Sequence, residues 1–97
     1  MKRKTNELTI AEAINLLLNA YGIKDKLMEV RLINSWEKIT GTIVSNLTSG
    51  LSIKNKILFV KCKSAPLRHE LSYHKTDLIQ KLNEEAGGKV IEDIVFQ

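Results

Sequence analysis

The chain is poor in the residues that staple, break or stack. One cysteine, Cys62, stands among 97 residues. It can form no internal disulfide and cannot build a zinc site alone, so a reduced, cytoplasmic setting is the default expectation. One proline, Pro66, and five scattered glycines leave no linker or low-complexity stretch. Aromatic residues make up 5% of the chain, too few for a broad base-stacking platform. The longest apolar runs, such as Ile57-Leu58-Phe59-Val60, fall far short of the ~20 residues that cross a bilayer, which excludes a helical membrane span. Residues 1–20 lack an unbroken apolar segment and a cleavage site, so no signal peptide is expected. Acidic residues are missing altogether between Glu37 and Glu70.

What is present reads as one small globular unit. An apolar fraction of 43% with 27% charged residues is ordinary for a folded domain, and the length has no room for two cores. The expectation is a basic tail over 1–8 and one domain over 9–97. The net charge is +4, a mild excess that permits contact with phosphate backbones without requiring it. Its placement is uneven. The acid-free stretch holds Lys38, Lys54, Lys56, Lys61, Lys63 and Arg68, and Lys2-Arg3-Lys4 opens the chain. The last fourteen residues carry Glu84, Glu85, Glu92 and Asp93 against Lys89 alone.

Thr9 followed three residues later by Glu12 is a capping box, and it predicts a helix from Ile10 to about Ala20 with Ile10, Ile14, Leu17, Leu18 and Tyr21 on its apolar face. Gly22 ends it. A second helix is expected from Lys24 or Asp25 to about Ile39. Its buried stripe is Met28, Leu32, Trp36, Ile39 and Ile43, widened by Leu27 and Ile33. Gly41 interrupts that pattern, and Ile43 to Leu47 fits one further turn. Leu51-Ser52-Ile53 and Ile57–Lys63 then alternate as two strands around the polar turn Lys54-Asn55-Lys56, a hairpin. Leu58, Val60 and Cys62 point to one face, and Ile57, Phe59, Lys61 and Lys63 to the other. Ser64 caps a third helix that carries Pro66 in its first turn and runs to about Ala86, where Gly87-Gly88 stops it. Val90 to Phe96 is the last strand. The order α-α-β-β-α-β contains a right-handed βαβ unit. It gives a two-layer α+β domain, a three-stranded mixed sheet with helices on one face, which resembles the KH architecture.

Catalytic constellations are missing. There is no glycine-rich phosphate loop, no histidine pair at metal spacing and no local Ser-His-Asp set. His69 and His74 are five apart and project differently from a helix, so they are poor joint ligands. Cys62 reads as a small buried hydrophobe. Trp36 has two readings, a core residue or a partner-facing anchor. Lys54, Lys56, Lys61, Lys63 and Arg68, with Lys2, Arg3 and Lys4, are the candidate nucleic-acid contacts. Ile57 and Phe59 are candidate partner contacts on the same sheet face. The alternative for the lysines is solubility and protection of a strand edge. The Gly-x-x-Gly clamp of KH modules is absent.

Trp36, Gly41, Leu47-Thr48, the strands around Leu51-Ser52-Ile53 and Ile57–Ser64, Leu67, Glu70-Leu71, Leu82-Asn83, Gly87 and Ile94-Val95-Phe96 occur in an order that resembles the DciA-like family over roughly residues 9–97. The resemblance implies a KH-like domain that interacts with the bacterial replicative helicase and helps the hexamer engage single-stranded DNA. It implies no ATPase of its own, and no cofactor, small-molecule substrate or membrane is expected. DNA binding, weak and favouring single strands, is implied as well. No catalytic residue is carried over, and Trp36, Gly41 and Leu71 match family positions read as structural.

Overall fold

A computed structural model describes residues 9–20 and 22–97. Lys2, Arg3, Lys4 and Tyr21 lie outside them. In chain order the elements are α1 (Ile10–Ala20), α2 (Ile23–Asn34), α3 (Trp36–Thr40), α4 (Thr42–Asn46), β1 (Thr48–Lys54), β2 (Ile57–Cys62), α5 (Ala65–Ser72), α6 (Lys75–Ala86) and β3 (Asp93–Phe96). The class is α+β, as the sequence predicts, and the arrangement is compatible with the KH architecture. Two predicted helices are subdivided. The second breaks at Ser35, whose hydroxyl donates to Leu32 O at 2.7 Å, while the interruption at Gly41, where φ of 95° favours glycine, and the short helix after it fall where the sequence places them. The third breaks at Tyr73-His74, with no glycine or proline to announce it.

The sheet runs β1-β2-β3, with β1 antiparallel and β3 parallel to the central β2. The hairpin turn is Asn55-Lys56, both at positive φ (53° and 64°), the backbone of a two-residue type I′ connection. Its right-handed twist matches that of the strands, and asparagine tolerates the left-handed region. Lysine tolerates it less well. β3 starts at Asp93, three residues later than the β-branched run Val90-Ile91 predicts. Asn83 on α6 holds that run instead. Its Oδ1 accepts from the amides of Val90 and Ile91 at 3.0 Å each, and its Nδ2 donates to Ile91 O at 2.9 Å.

Strand alternation decides the core. Leu58, Val60 and Cys62 of β2 and Ile94 of β3 turn toward the helices and are buried with Leu32, Trp36, Leu71, Leu78, Leu82, Ala86 and Ile91. Trp36 is 2% exposed, and its indole N–H donates to Thr48 Oγ1 at 3.1 Å. Lys38 ties α3 to Glu85 of α6 at 2.8 Å. The predicted caps form. Thr9 and Glu12 exchange two bonds of 3.0 Å, and Ser64 Oγ accepts from Leu67 N at 3.2 Å. Two expectations about burial fail, at Ile43 and at Leu27, which lies on the outer side of α2 and is 48% exposed. Ile43 is 78% exposed, because the break at Gly41 rotates α4 off the stripe. No residue of α1 is buried, and Ile10, Ile14 and Leu17 stand open.

Candidate nucleic-acid interface

Two surfaces carry the candidate residues, and they share the β2–β3 half of the sheet. The first is the sheet face turned away from the core. Ile57, Phe59 and Lys61 project there from β2, as their alternation with buried Leu58, Val60 and Cys62 requires. Register sets Lys54 opposite Ile57, Ser52 opposite Phe59 and Gly50 opposite Lys61 on one side. Asp93 and Val95 stand beside Ile57 and Phe59 on the other. Ile57 and Phe59 are half-buried by these neighbours, and Lys61 is exposed. Lys61 lays its aliphatic stem beside Gly50, within ordinary contact distance of where a Cβ there would sit. Lys63 follows the end of β2, where its amide donates to Leu47 O at 2.8 Å.

The structure divides the basic strip. Lys54 and Lys56 sit at the hairpin tip. Lys61 and Lys63 lie at the other end, about 20 Å along the strand at roughly 3.3 Å per residue. The tip is not free of acid in space. Lys56 lines a hollow with Asp25 and Glu29 of α2, and its carbonyl accepts from Glu92 N at 2.7 Å. Asp93 shares the open face with Lys54 and Ile57. The Ile94 amide, and then the Lys75 ammonium at 3.3 Å, hold the Asp93 carboxyl below the usual range. An acid-free stretch of sequence is therefore not an acid-free surface.

The second surface is an open groove of about 510 Å³ between α5 and β3. Arg68, His69 and Ser72 line it from α5, Lys75 from the start of α6, and Val95 and Phe96 from β3. β3 is an edge strand, so one side of its backbone is unpaired within the sheet. Arg68 is half-buried, with Nη1 3.4 Å from Cys62 O. The contact is long for a hydrogen bond and holds the guanidinium only loosely beside the end of β2. Tyr73, 70% exposed, stands next to the groove. Its hydroxyl is 3.0 Å from His69 Nε2, and the two rings meet edge to face with centroids 5.0 Å apart. Ser72, Tyr73 and Lys75 carry no mark in the sequence, and His69 stands out there only as a poor joint metal ligand with His74. The one available signal was the i, i+4 spacing of His69 and Tyr73.

Arg68 is the one sequence-selected cation that lines this groove. Trp36 belongs to the core and offers a partner no surface in this fold. Cys62 is buried at the end of β2, and burial pushes its thiol pKa up despite the nearby Arg68 guanidinium. That is the opposite of what activates a nucleophile. Among the described residues, no helix is long and apolar enough to cross a membrane, and no group of three His, Cys, Asp or Glu side chains could hold a metal ion.

The fold is that of a small α+β protein with a half-apolar sheet face and, beside a strand edge, a groove lined by Arg68 and Lys75. The chain belongs to the DciA family. The family model described as Dna[CI] antecedent, DciA matches residues 9–96, nearly the whole length. Membership places it among proteins of DNA replication and helicase loading. No curated protein matches it.

Proposed function

We propose that this protein is a non-enzymatic accessory of the replicative helicase, one that docks on the hexamer and helps it engage single-stranded DNA while holding DNA only weakly itself. The family match over residues 9–96 carries the helicase part of this reading. The α5–β3 groove supports the DNA part. It brings the Arg68 guanidinium and the Lys75 ammonium beside an apolar floor, with the exposed Tyr73 next to it. Phosphates favour the two cations, and a base face favours the floor and the tyrosine. Lys61 and Lys63 extend the positive surface on the far side of the strand. Weak binding follows from the same geometry, because Lys75 is already engaged by Asp93 and an incoming phosphate must compete with that carboxylate.

Fluorescence anisotropy with a single-stranded oligonucleotide across a salt series tests the DNA part. Lys61→Glu with Lys63→Glu should weaken binding roughly tenfold or more at low salt. It should also flatten the slope of log affinity against log salt by about 1.4, two contacts at about 0.7 each for a single strand. Arg68→Glu should weaken it independently. Unchanged affinity and slope in both variants refute the assignment. Co-elution with the helicase from the same organism, followed by light scattering, tests the docking part, and separate elution at micromolar concentrations counts against it.

A second reading has its own observation. Asp93 and the half-buried Ile57 and Phe59 make the open sheet face less cationic and more apolar than the sequence suggests. A protein-interaction module without DNA binding fits that face, the lysines then serving solubility and edge protection. It predicts no anisotropy change at low salt but an intact helicase complex.

A further inference from the structure

The two ends of the central strand differ in charge once the chain is folded. At the C-terminal end of β2, Lys61 is exposed on the open sheet face and Lys63 is exposed just past the strand. Arg68 approaches the same point from the groove, with Nη1 3.4 Å from Cys62 O. Cys62 lies between the two lysines, whose backbones are about 7 Å apart, so three cations gather around one residue. Leu47, at the end of α4, accepts the Lys63 amide, and Gly50 of β1 lies against the Lys61 stem. Neither α4 nor β1 carries an acidic residue. α5 carries one, Glu70, and it turns to His74 at 3.6 Å. Among the described residues, none of the three cations is ion-paired.

The hairpin end is different. Lys56 and Lys89 share a hollow with Asp25 and Glu29, and the Glu92 amide donates to Lys56 O. Asp93 stands beside Ile57, whose other neighbour is Lys54. Asp93 also guards the near end of the groove. Its Oδ1 accepts from the Ile94 amide at 2.8 Å and lies 3.3 Å from Lys75 Nζ. The two ends of β2 are about 20 Å apart, two screening lengths at about 0.1 M salt, so each meets a polyanion separately. We infer that a DNA single strand crosses the fold at the C-terminal end of β2. It runs from Lys61 and Lys63 on the sheet side to Arg68 in the α5–β3 groove, and Asp93 closes the way to the hairpin tip. Lys54 and Lys56 take no part. This path rests on the DNA binding proposed above and says where on the surface it occurs. It turns around a strand end over about 10 Å, which a flexible single strand can follow and a duplex, with a persistence length of about 50 nm, cannot. Three cations with Tyr73 beyond them suit a few nucleotides, the low end of the ~4–16 that single-strand sites hold.

Two variants that lose the same two charges test it, by anisotropy of a labelled oligothymidine at about 0.1 M salt and across a salt series. Lys61→Gln with Lys63→Gln should weaken binding about fivefold or more and flatten the slope of log affinity against log salt by about 1.4. Lys54→Gln with Lys56→Asn should leave affinity within about twofold and the slope unchanged, and asparagine accepts the left-handed turn position of Lys56. Asp93→Asn keeps an acceptor for the Ile94 amide while releasing Lys75, so it should tighten binding about two- to threefold and steepen the slope. Circular dichroism checks that every variant is folded. Equal losses in the two charge-matched pairs overturn the path and leave DNA binding standing. Unchanged affinity in Asp93→Asn, or a duplex of the same length held as tightly as the single strand, also overturns it. A wild-type chain that binds no oligothymidine removes the DNA binding itself, and the path with it.

Discussion

Asn83 should contribute more to stability than any other polar side chain in the fold, and the structure sets the size of the effect. Its amide makes three hydrogen bonds to a segment eight residues away, two accepted from the amides of Val90 and Ile91 and one donated to Ile91 O. These bonds hold Ile91 in the core and aim the chain into β3, the wall of the groove. Each net bond is worth about 1 kcal/mol, and leaving partly buried partners unpaired adds to the loss, so Asn83→Ala should cost about 2–4 kcal/mol. In a chain of this size that lowers Tm by about 10–20 °C. Asn83→Asp separates the contributions. It keeps both accepted bonds, loses the donated one and sets a carboxylate against a carbonyl, so its cost should fall between wild type and alanine. Urea unfolding followed by circular dichroism measures all three proteins with the same slope. A loss under about 0.5 kcal/mol in Asn83→Ala, or an aspartate variant worse than alanine, would refute the argument.

Other outcomes follow from single contacts. Lys56→Gly should stabilise the protein by up to about 1 kcal/mol in urea unfolding, since glycine accepts the left-handed turn position without strain. Trp36 emission should be blue-shifted and resist iodide quenching. Trp36→Phe should cost about 1 kcal/mol or more through the lost bond to Thr48. Asp93 has a folded-state pKa below its unfolded value, so its contribution is present at neutral pH and lost as pH falls through the folded value. Asp93→Asn should therefore flatten the acid limb of stability against pH, at a cost at neutral pH under about 1 kcal/mol for so exposed a group. The Cys62 thiol has a raised folded pKa, so stability should decline as pH rises past the unfolded thiol range near 8.5, and alkylation of the native chain at neutral pH should be slow.

Local chemistry was legible wherever a few neighbouring residues decide the outcome. The Thr9–Glu12 box, the Ser64 cap, the stop at Gly87 and the hairpin all form, because each depends on backbone geometry within four residues, although Lys54 belongs to β1 and the turn shortens to Asn55-Lys56. The inward set Leu58, Val60 and Cys62 followed from strand alternation alone. What failed was set by partners distant in sequence. Val90 and Ile91 have strand-forming side chains, but Asn83 takes their amides before a strand can. The break at Tyr73-His74 carries no local signal. It lets α5 pack on β2 and β3 while α6 packs on α2 and α3. The helical period of α1 is legible in its sequence, but periodicity does not say whether the fold supplies a cover for the apolar face. The candidate site shows the same limit. A run without acids in sequence acquired Asp25, Glu29 and Asp93 as neighbours in space, whereas the groove gathered His69, Ser72 and Lys75 around Arg68 from positions that no motif marks.

We propose that this chain helps the replicative helicase onto single strands. The most direct measurement is the amount of helicase retained on a closed single-stranded DNA circle, which offers no end to thread, with and without the chain. Retained helicase should rise several-fold with the chain present, and Arg68→Glu and the Lys61/Lys63 double substitution should each reduce that rise. Equal retention with and without the chain, at concentrations where the two proteins co-elute, would contradict it.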